Sequence, residues 1–159
     1  MIYIIIKVMP NSATELEEAK TVLRKEANAI QETANQLKVD TFCKAIDILF
    51  ETKGKIVITG IGKSGHVGKK MAAMLCSTGS PTAYLHPSEA VHGDLGIHQQ
   101  SDPVIYLSNS GSTPELIYLE PVFRARGAKI IGVLGQTNSP LAEKVDVLLD
   151  ASVSEEADP

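Results

Sequence analysis

The chain has 159 residues, of which 43% are hydrophobic and 21% charged, enough for one domain with a sizeable core. A formal net charge of −4 argues against a general nucleic-acid binder, which needs a basic excess to neutralise phosphates. No stretch approaches the ~20 apolar residues of a membrane span, so a cytoplasmic protein with no membrane partner is expected.

The start, Met1-Ile2-Tyr3-Ile4-Ile5-Ile6-Lys7, is apolar but lacks the basic flank and cleavage site of a signal peptide, and reads as a strand-like extension. Ser12-Ala13-Thr14-Glu15 fits a capping box, with Ser12 as N-cap. Leu16, Ala19, Leu23, Ala27, Ile30, Ala34 and Leu37 then recur at helical steps and predict a long amphipathic helix with a charged outer face. A second helix is predicted from Asp40 to near Gly54, with Phe42, Ala45, Ile46 and Leu49 inward. These helices carry no chemical constellation and suit packing or oligomerisation. Cys43 and Cys76 sit in helix-like patterns without metal spacing, and buried free thiols in a reducing compartment are expected.

From residue 55 the texture changes. Strands are predicted at 55–59, 82–86, 103–107, 129–134 and 145–149, and helices at 64–77, 113–126 and 139–144, the last with Pro140 near its first position and the one before it stopped by Gly127. Short β-branched runs alternating with helices predict an α/β three-layer sandwich: a five-stranded parallel sheet, doubly wound and flavodoxin-like, flanked by helices. Ligands of such folds bind outside the carboxyl ends of the strands. One domain spanning 1–159 is expected, with N-terminal helices over 12–53 and the α/β core over 55–159.

Two loops follow strands and open helices, where free N–H groups and the helix dipole favour anions. In the first, Gly60-Ile61-Gly62-Lys63-Ser64-Gly65, the glycines match the dinucleotide fingerprint. That fingerprint wants an acid ~20 residues on, and Thr82-Ala83-Tyr84-Leu85-His86 ends without one. Gly62-Lys63-Ser64 resembles the end of a P-loop, but Val57 stands where that motif needs glycine. Lys63 and Ser64 suit a small phosphate or a sugar oxygen. The second loop, Ser108-Asn109-Ser110-Gly111-Ser112-Thr113, concentrates hydroxyls that donate to phosphate oxygens without adding charge. A single cap residue would suffice for the helix that follows. Glu115 falls in that helix's first turn, either complementing the dipole or facing the ligand as a base.

Three blocks in order narrow the reading: Gly60-Ile61-Gly62-Lys63-Ser64-Gly65-His66, His86-Pro87-Ser88-Glu89-Ala90-Val91-His92-Gly93-Asp94-Leu95-Gly96, and Ser108-Asn109-Ser110-Gly111. From about residue 55 onward the chain resembles the sugar isomerase (SIS) domains of the arabinose-5-phosphate isomerase family. The resemblance implies interconversion of D-ribulose 5-phosphate and D-arabinose 5-phosphate, towards Kdo and lipopolysaccharide. It also implies that Ser64, Ser108, Asn109, Ser110 and Thr113 cradle the phosphate, with Gly62, His86 and Ser112 completing the substrate-binding set. Lys63, Glu115 and Glu156 match the family's proposed catalytic residues, and His92 lines the same pocket. Glu156 is placed by Glu156-Ala157-Asp158-Pro159, which departs from the family's Glu-Ala-Cys-Pro at Asp158. Family members continue past this proline with a Ser/Thr-rich stretch and a histidine-bearing helix, and many add CBS modules, so those parts are expected to lie outside this chain. A homo-oligomer, dimer or tetramer, is implied as well.

An aldose–ketose isomerisation through an enediol needs a base for the carbon-bound proton, a donor at the developing oxyanion and exclusion of water. Glu115 or Glu156 is the expected base, its pKa raised by burial, and Lys63 the charge beside the oxyanion. No redox cofactor is required, and without HExxH-like spacing no metal is expected. His98 reads as a surface residue and His66 as a helix-start residue. Two other functions stay open: a non-catalytic phosphosugar-binding or regulatory module, and more remotely an NAD-dependent dehydrogenase. No basic helix-turn-helix precedes the domain, which weakens a transcription-regulator version.

Overall fold

The computed structural model describes residues 12–157. The N-terminal strand-like stretch expected from the sequence and the final Asp158-Pro159 lie outside them.

The chain forms two compact units. One comprises, among the described residues, 12–35 together with 153–157. Its main element is α1 (Ser12–Gln36), which begins where the capping box is predicted. Within this unit Lys25 pairs with Glu155, and Ser154 donates its N–H (3.2 Å) and hydroxyl (2.8 Å) to the Glu32 carboxylate. Leu16, Leu23 and Ile30, from the predicted apolar stripe, are exposed.

The other unit, Gln36–Ser152, is the α/β core. Its helices are α2 (Val39–Phe50), α3 (Lys63–Ser77), α4 (Pro87–Ala90) and α5 (Pro114–Ala125). Its strands are β1 (Ile56–Gly60), β2 (Thr82–Tyr84), β3 (Val104–Ser108), β4 (Ile130–Leu134) and β5 (Val147–Asp150). All neighbours are parallel, in the order β2-β1-β3-β4-β5. This is the doubly wound, flavodoxin-like order, in which the direction of winding reverses between β1 and β3.

Every residue of β1 and β3 is buried, as strands covered on both faces require. Successive side chains point to opposite faces. Val57, Val104, Tyr106 and Ile130 pack with Leu116, Leu119 and Phe123 of α5 and with Ala90 of α4. Ile56, Ile58, Ile105 and Ile131 pack with Ala45, Ile48 and Leu49 of α2 and with Ala72 and Leu75 of α3. Each fully buried aliphatic or aromatic side chain contributes about 1.5–3 kcal/mol.

At the amino ends of β1 and β3 a buried carboxylate ties the sheet together. Asp102, 2% exposed, accepts Lys55 Nζ at 2.7 Å and Gln99 N at 2.9 Å on one oxygen and Lys55 N at 3.1 Å on the other. Burial alone would raise its pKa; the Lys55 ammonium and the two backbone donors outweigh burial and hold it below the usual carboxylate range. A Cβ at Gly54 would stand 2.2 Å from Asp102 Oδ1, so only glycine fits there.

Four expectations are corrected. Residues 140–144 form turns closed by i→i+3 bonds, Ala142 N to Ser139 O (3.0 Å) and Lys144 N to Leu141 O (3.0 Å), in place of the expected helix, and Leu141 N donates to Gly111 O (2.9 Å). In α2 the inward residues are Ala45, Ile48 and Leu49, while Phe42 and Ile46 are each more than 40% exposed. Cys43 and Cys76 are exposed. His98 is fully buried against Phe123, at 4.9 Å between ring centroids, and donates Nε2–H to Asp102 O at 2.9 Å.

Candidate active site

The winding reversal puts the two predicted loops side by side. Gly60, ending β1, pairs in register with Leu107 of β3, and a Cβ at Gly60 would lie 2.8 Å from Leu107 O. Both loops therefore leave the carboxyl edge of the sheet from adjacent strands.

The first loop turns at Gly62, whose φ of +60° lies in the left-handed region that favours glycine. Gly62 is also the N-cap of α3, and no side chain caps this helix. His66 N closes onto Gly62 O at 3.1 Å. The N–H groups of Lys63, Ser64 and Gly65 are the ones the helix geometry leaves without intrahelical partners. The Lys63 side chain is exposed and that of Ser64 half-buried.

The second loop is internally braced. Ser108 is 6% exposed; its hydroxyl lies 2.9 Å from Thr113 Oγ1 and accepts Gly111 N at 3.1 Å. Ser110 Oγ accepts Ser112 N at 3.3 Å. Because Thr113 spends its hydroxyl on Ser108, it caps α5 only with its backbone, and Pro114 occupies the first helical position. Gly111 has φ +60°, and a Cβ there would stand 2.0 Å from Ser139 Oγ. A Cβ at Gly135 would stand 2.0 Å from Asn109 Oδ1. The connection after β4 thus backs the loop at both glycines, leaving Asn109, Ser110 and Ser112 exposed. Glu115, second residue of α5, is also exposed, not buried as expected of the base.

His86 follows β2 at the same edge, half-buried; its Nδ1 accepts Ser88 N at 3.3 Å, making it the N-cap of α4. His92 is exposed in the turn after α4, its N–H bonded to Glu89 O at 3.0 Å. Glu156 is exposed and belongs to the unit built on α1. His66 is exposed on α3. Among the described residues no three His, Cys, Asp or Glu side chains are grouped as metal ligands, and no helix is long and apolar enough to cross a membrane.

Gly62 to Ser64 and Ser108 to Glu115 are thus brought to one edge. Gly135 and Ser139, which shape the second loop from behind, went unnoticed in the sequence; the signal available was a glycine directly after a predicted strand. What the arrangement can do chemically is hold an anion between two helix N-termini, with one cation and one carboxylate at its rim.

Residues 48–158 match the SIS domain family. Over 120 residues, 76% of this chain, the sequence is 51% identical to the arabinose 5-phosphate isomerase KdsD of Pseudomonas aeruginosa, and spans 37% of that protein's length. A crystal structure from Listeria monocytogenes superposes with a TM-score of 0.90 at 34% identity, covering 95% of this chain and 79% of that one. A protein of E. coli CFT073, solved in complex with arabinose 5-phosphate, superposes with a TM-score of 0.87 at 35% identity, covering 94% and 79%.

Proposed function

The chain belongs to the SIS domain family, and on that premise we propose that it is an aldose–ketose isomerase interconverting D-ribulose 5-phosphate and D-arabinose 5-phosphate. The observation that carries the reading is the pairing of the β1–α3 and β3–α5 turns at the winding reversal, each offering unfilled N–H groups, with Lys63 in the first turn of one helix and Glu115 in the first turn of the other. The name of the Pseudomonas relative and the arabinose 5-phosphate held by the E. coli structure support the substrate.

In this proposal the phosphate lies between the turns. It is held by Ser64, Ser108, Asn109, Ser110, Ser112 and Thr113 and by the first-turn N–H groups after Gly62. A carboxylate, Glu115 or Glu156, takes the proton from C1 of the ketose and a proton is delivered to C2, through an enediol. Lys63 stabilises the oxygen on which charge develops; such groups act most strongly when already in place. His92 and His86 complete the sugar pocket. The exposed apolar residues of α1 support assembly as a homo-oligomer, dimer or tetramer. One SIS domain spanning 1–159, a cytoplasmic setting and a place in the supply of Kdo for lipopolysaccharide complete the proposal.

The test is to incubate the full-length protein with ribulose 5-phosphate in D2O. Arabinose 5-phosphate carrying deuterium at C2 is expected, since a proton that visits a carboxylate exchanges with solvent. Folded full-length protein that makes no aldose would refute the isomerase. Binding of the sugar phosphate without turnover would instead establish a phosphosugar-binding module.

A further inference from the structure

β1 and β2 exchange bonds in the parallel pattern as far as Leu85, whose N–H donates to Ile58 O at 2.8 Å. Backbone groups face the same neighbour at every second residue. The next β1 carbonyl on this side is therefore that of Gly60, and the donor that would meet it belongs to residue 87. That residue is proline, at the start of α4, and has no N–H. A side chain replaces the missing rung: the Tyr84 hydroxyl donates to Gly60 O at 2.6 Å.

The same hydroxyl lies under the first turn of α3. A Cβ at Gly65 would stand 2.6 Å from it and 2.9 Å from Gly60 O, and a Cβ at Gly68 would stand 3.1 Å from the ring. The Lys69 ammonium sits 5.3 Å from the ring centroid. Burial pushes the phenol's pKa up, so the hydroxyl keeps its proton at neutral pH.

We infer that Tyr84 is a positioning residue for the anion-binding turn between β1 and α3. Its hydroxyl fixes the Gly60 peptide and, through Gly65, the first turn of α3, so that the N–H groups of Lys63, Ser64 and Gly65 are aimed before the ligand arrives. This rests on reading that turn as a phosphate cradle.

Tyr84→Phe removes one oxygen and keeps the ring on which α3 rests. The full-length 15N-labelled protein is titrated with inorganic phosphate while the amides of residues 63–65 are followed by NMR, and KM and kcat are measured with ribulose 5-phosphate. Relative to wild type, phosphate affinity is expected to fall and KM to rise about tenfold, the worth of one hydrogen bond at ~1.4 kcal/mol per decade, with kcat within about threefold. Solvent exchange of the His66 amide, which is bonded to Gly62 O within this turn, accelerates while the strands stay protected. Lys69→Ala, which leaves the hydroxyl bond intact, stays within about twofold of wild type on every measure. Should Tyr84→Phe fail to fold, Gly65→Ala, which drives a methyl against the hydroxyl, is expected to give the same local signature.

Unchanged phosphate affinity with unchanged exchange at His66 would overturn the inference, as would acceleration spread evenly over the whole sheet. Wild-type protein that binds phosphate at these amides without isomerising the sugar would refute the isomerase, while the comparison with Tyr84→Phe still decides the role of Tyr84. Wild-type amides indifferent to phosphate would refute the cradle and this inference with it.

Discussion

Asp102→Asn isolates the charge of one buried carboxylate at almost constant volume. In the wild-type protein both of its oxygens only accept: Oδ2 from Lys55 Nζ and Gln99 N, Oδ1 from Lys55 N. An asparagine keeps one acceptor and converts the other into a donor. If the amide oxygen takes the Oδ2 position, its NH2 points at Lys55 N–H; if it takes the Oδ1 position, its NH2 faces both the ammonium and Gln99 N–H. Either orientation sets a donor against a donor. The cheaper one leaves a single buried N–H unmet, costing about 1–3 kcal/mol, and weakens a charge-assisted bond to a lysine that is 22% exposed. A loss of about 3 kcal/mol follows, a fall in Tm of roughly 6–12 °C for a chain of this size. The folded pKa of Asp102 lies below its unfolded value, so the wild-type advantage is complete above the ordinary carboxylate range of ~4 and shrinks as pH falls through the folded pKa. Thermal unfolding of both proteins from pH 7 down to pH 3 measures this. A difference in Tm under about 2 °C at pH 7, or a gap that widens on acidification, would refute the reasoning.

Lys63→Ala and Glu115→Gln are each expected to lower kcat with ribulose 5-phosphate at least ~10²-fold, the usual scale for an acid–base or charge-stabilising group; an unchanged rate removes that residue from the mechanism. Gly111→Ala places a methyl 2.0 Å from Ser139 Oγ at φ +60°, so sugar-phosphate affinity measured by calorimetry should fall more than tenfold, while Gly111→Ala with Ser139→Gly recovers part of it. His98 is held neutral, first by burial, with its pKa below the ordinary value; between the two pKa values the unfolded chain binds the extra proton. Stability should therefore fall as pH drops from about 7 towards the folded pKa, and the urea midpoint of His98→Gln should vary less over pH 5–7 than that of wild type.

The sheet was readable because parallel strands buried on both faces leave short apolar β-branched runs, and those of β1, β3 and β4 close on or just before a glycine or serine. The five observed strands fall within about two residues of those expected. The two loops were readable from glycine spacing and hydroxyl density. What escaped depends on contacts far apart in sequence. Residues 139–144 carry a proline start and good helix formers, yet Ser139 packs under Gly111 and Leu141 bonds to its carbonyl. Apolar residues surround α2, so periodicity does not reveal which side meets the sheet, and packing against Ile56 and Ile131 chose Ala45, Ile48 and Leu49. His98 looked like a surface histidine because the ring that buries it, Phe123, comes from another element. The Tyr84 hydroxyl has no sequence signature beyond the proline that removes its backbone competitor.

The order of the strands also bears on how the chain reaches its folded state. Val57 meets Val104 across the β1–β3 seam, a wider separation along the chain than Ile56 with Thr82, Val104 with Ile130 or Ile131 with Val147. Long-range pairings carry the largest loop-closure entropy and slow folding. β4 and β5 can dock on β3, and β2 on β1, as two separate ribbons before that seam closes. Until it does, the two anion turns stand on different ribbons and neither half can hold a phosphate between them. A sugar phosphate present during refolding would then act late, capturing the closed seam without steering the ribbons, and would slow unfolding far more than it speeds folding.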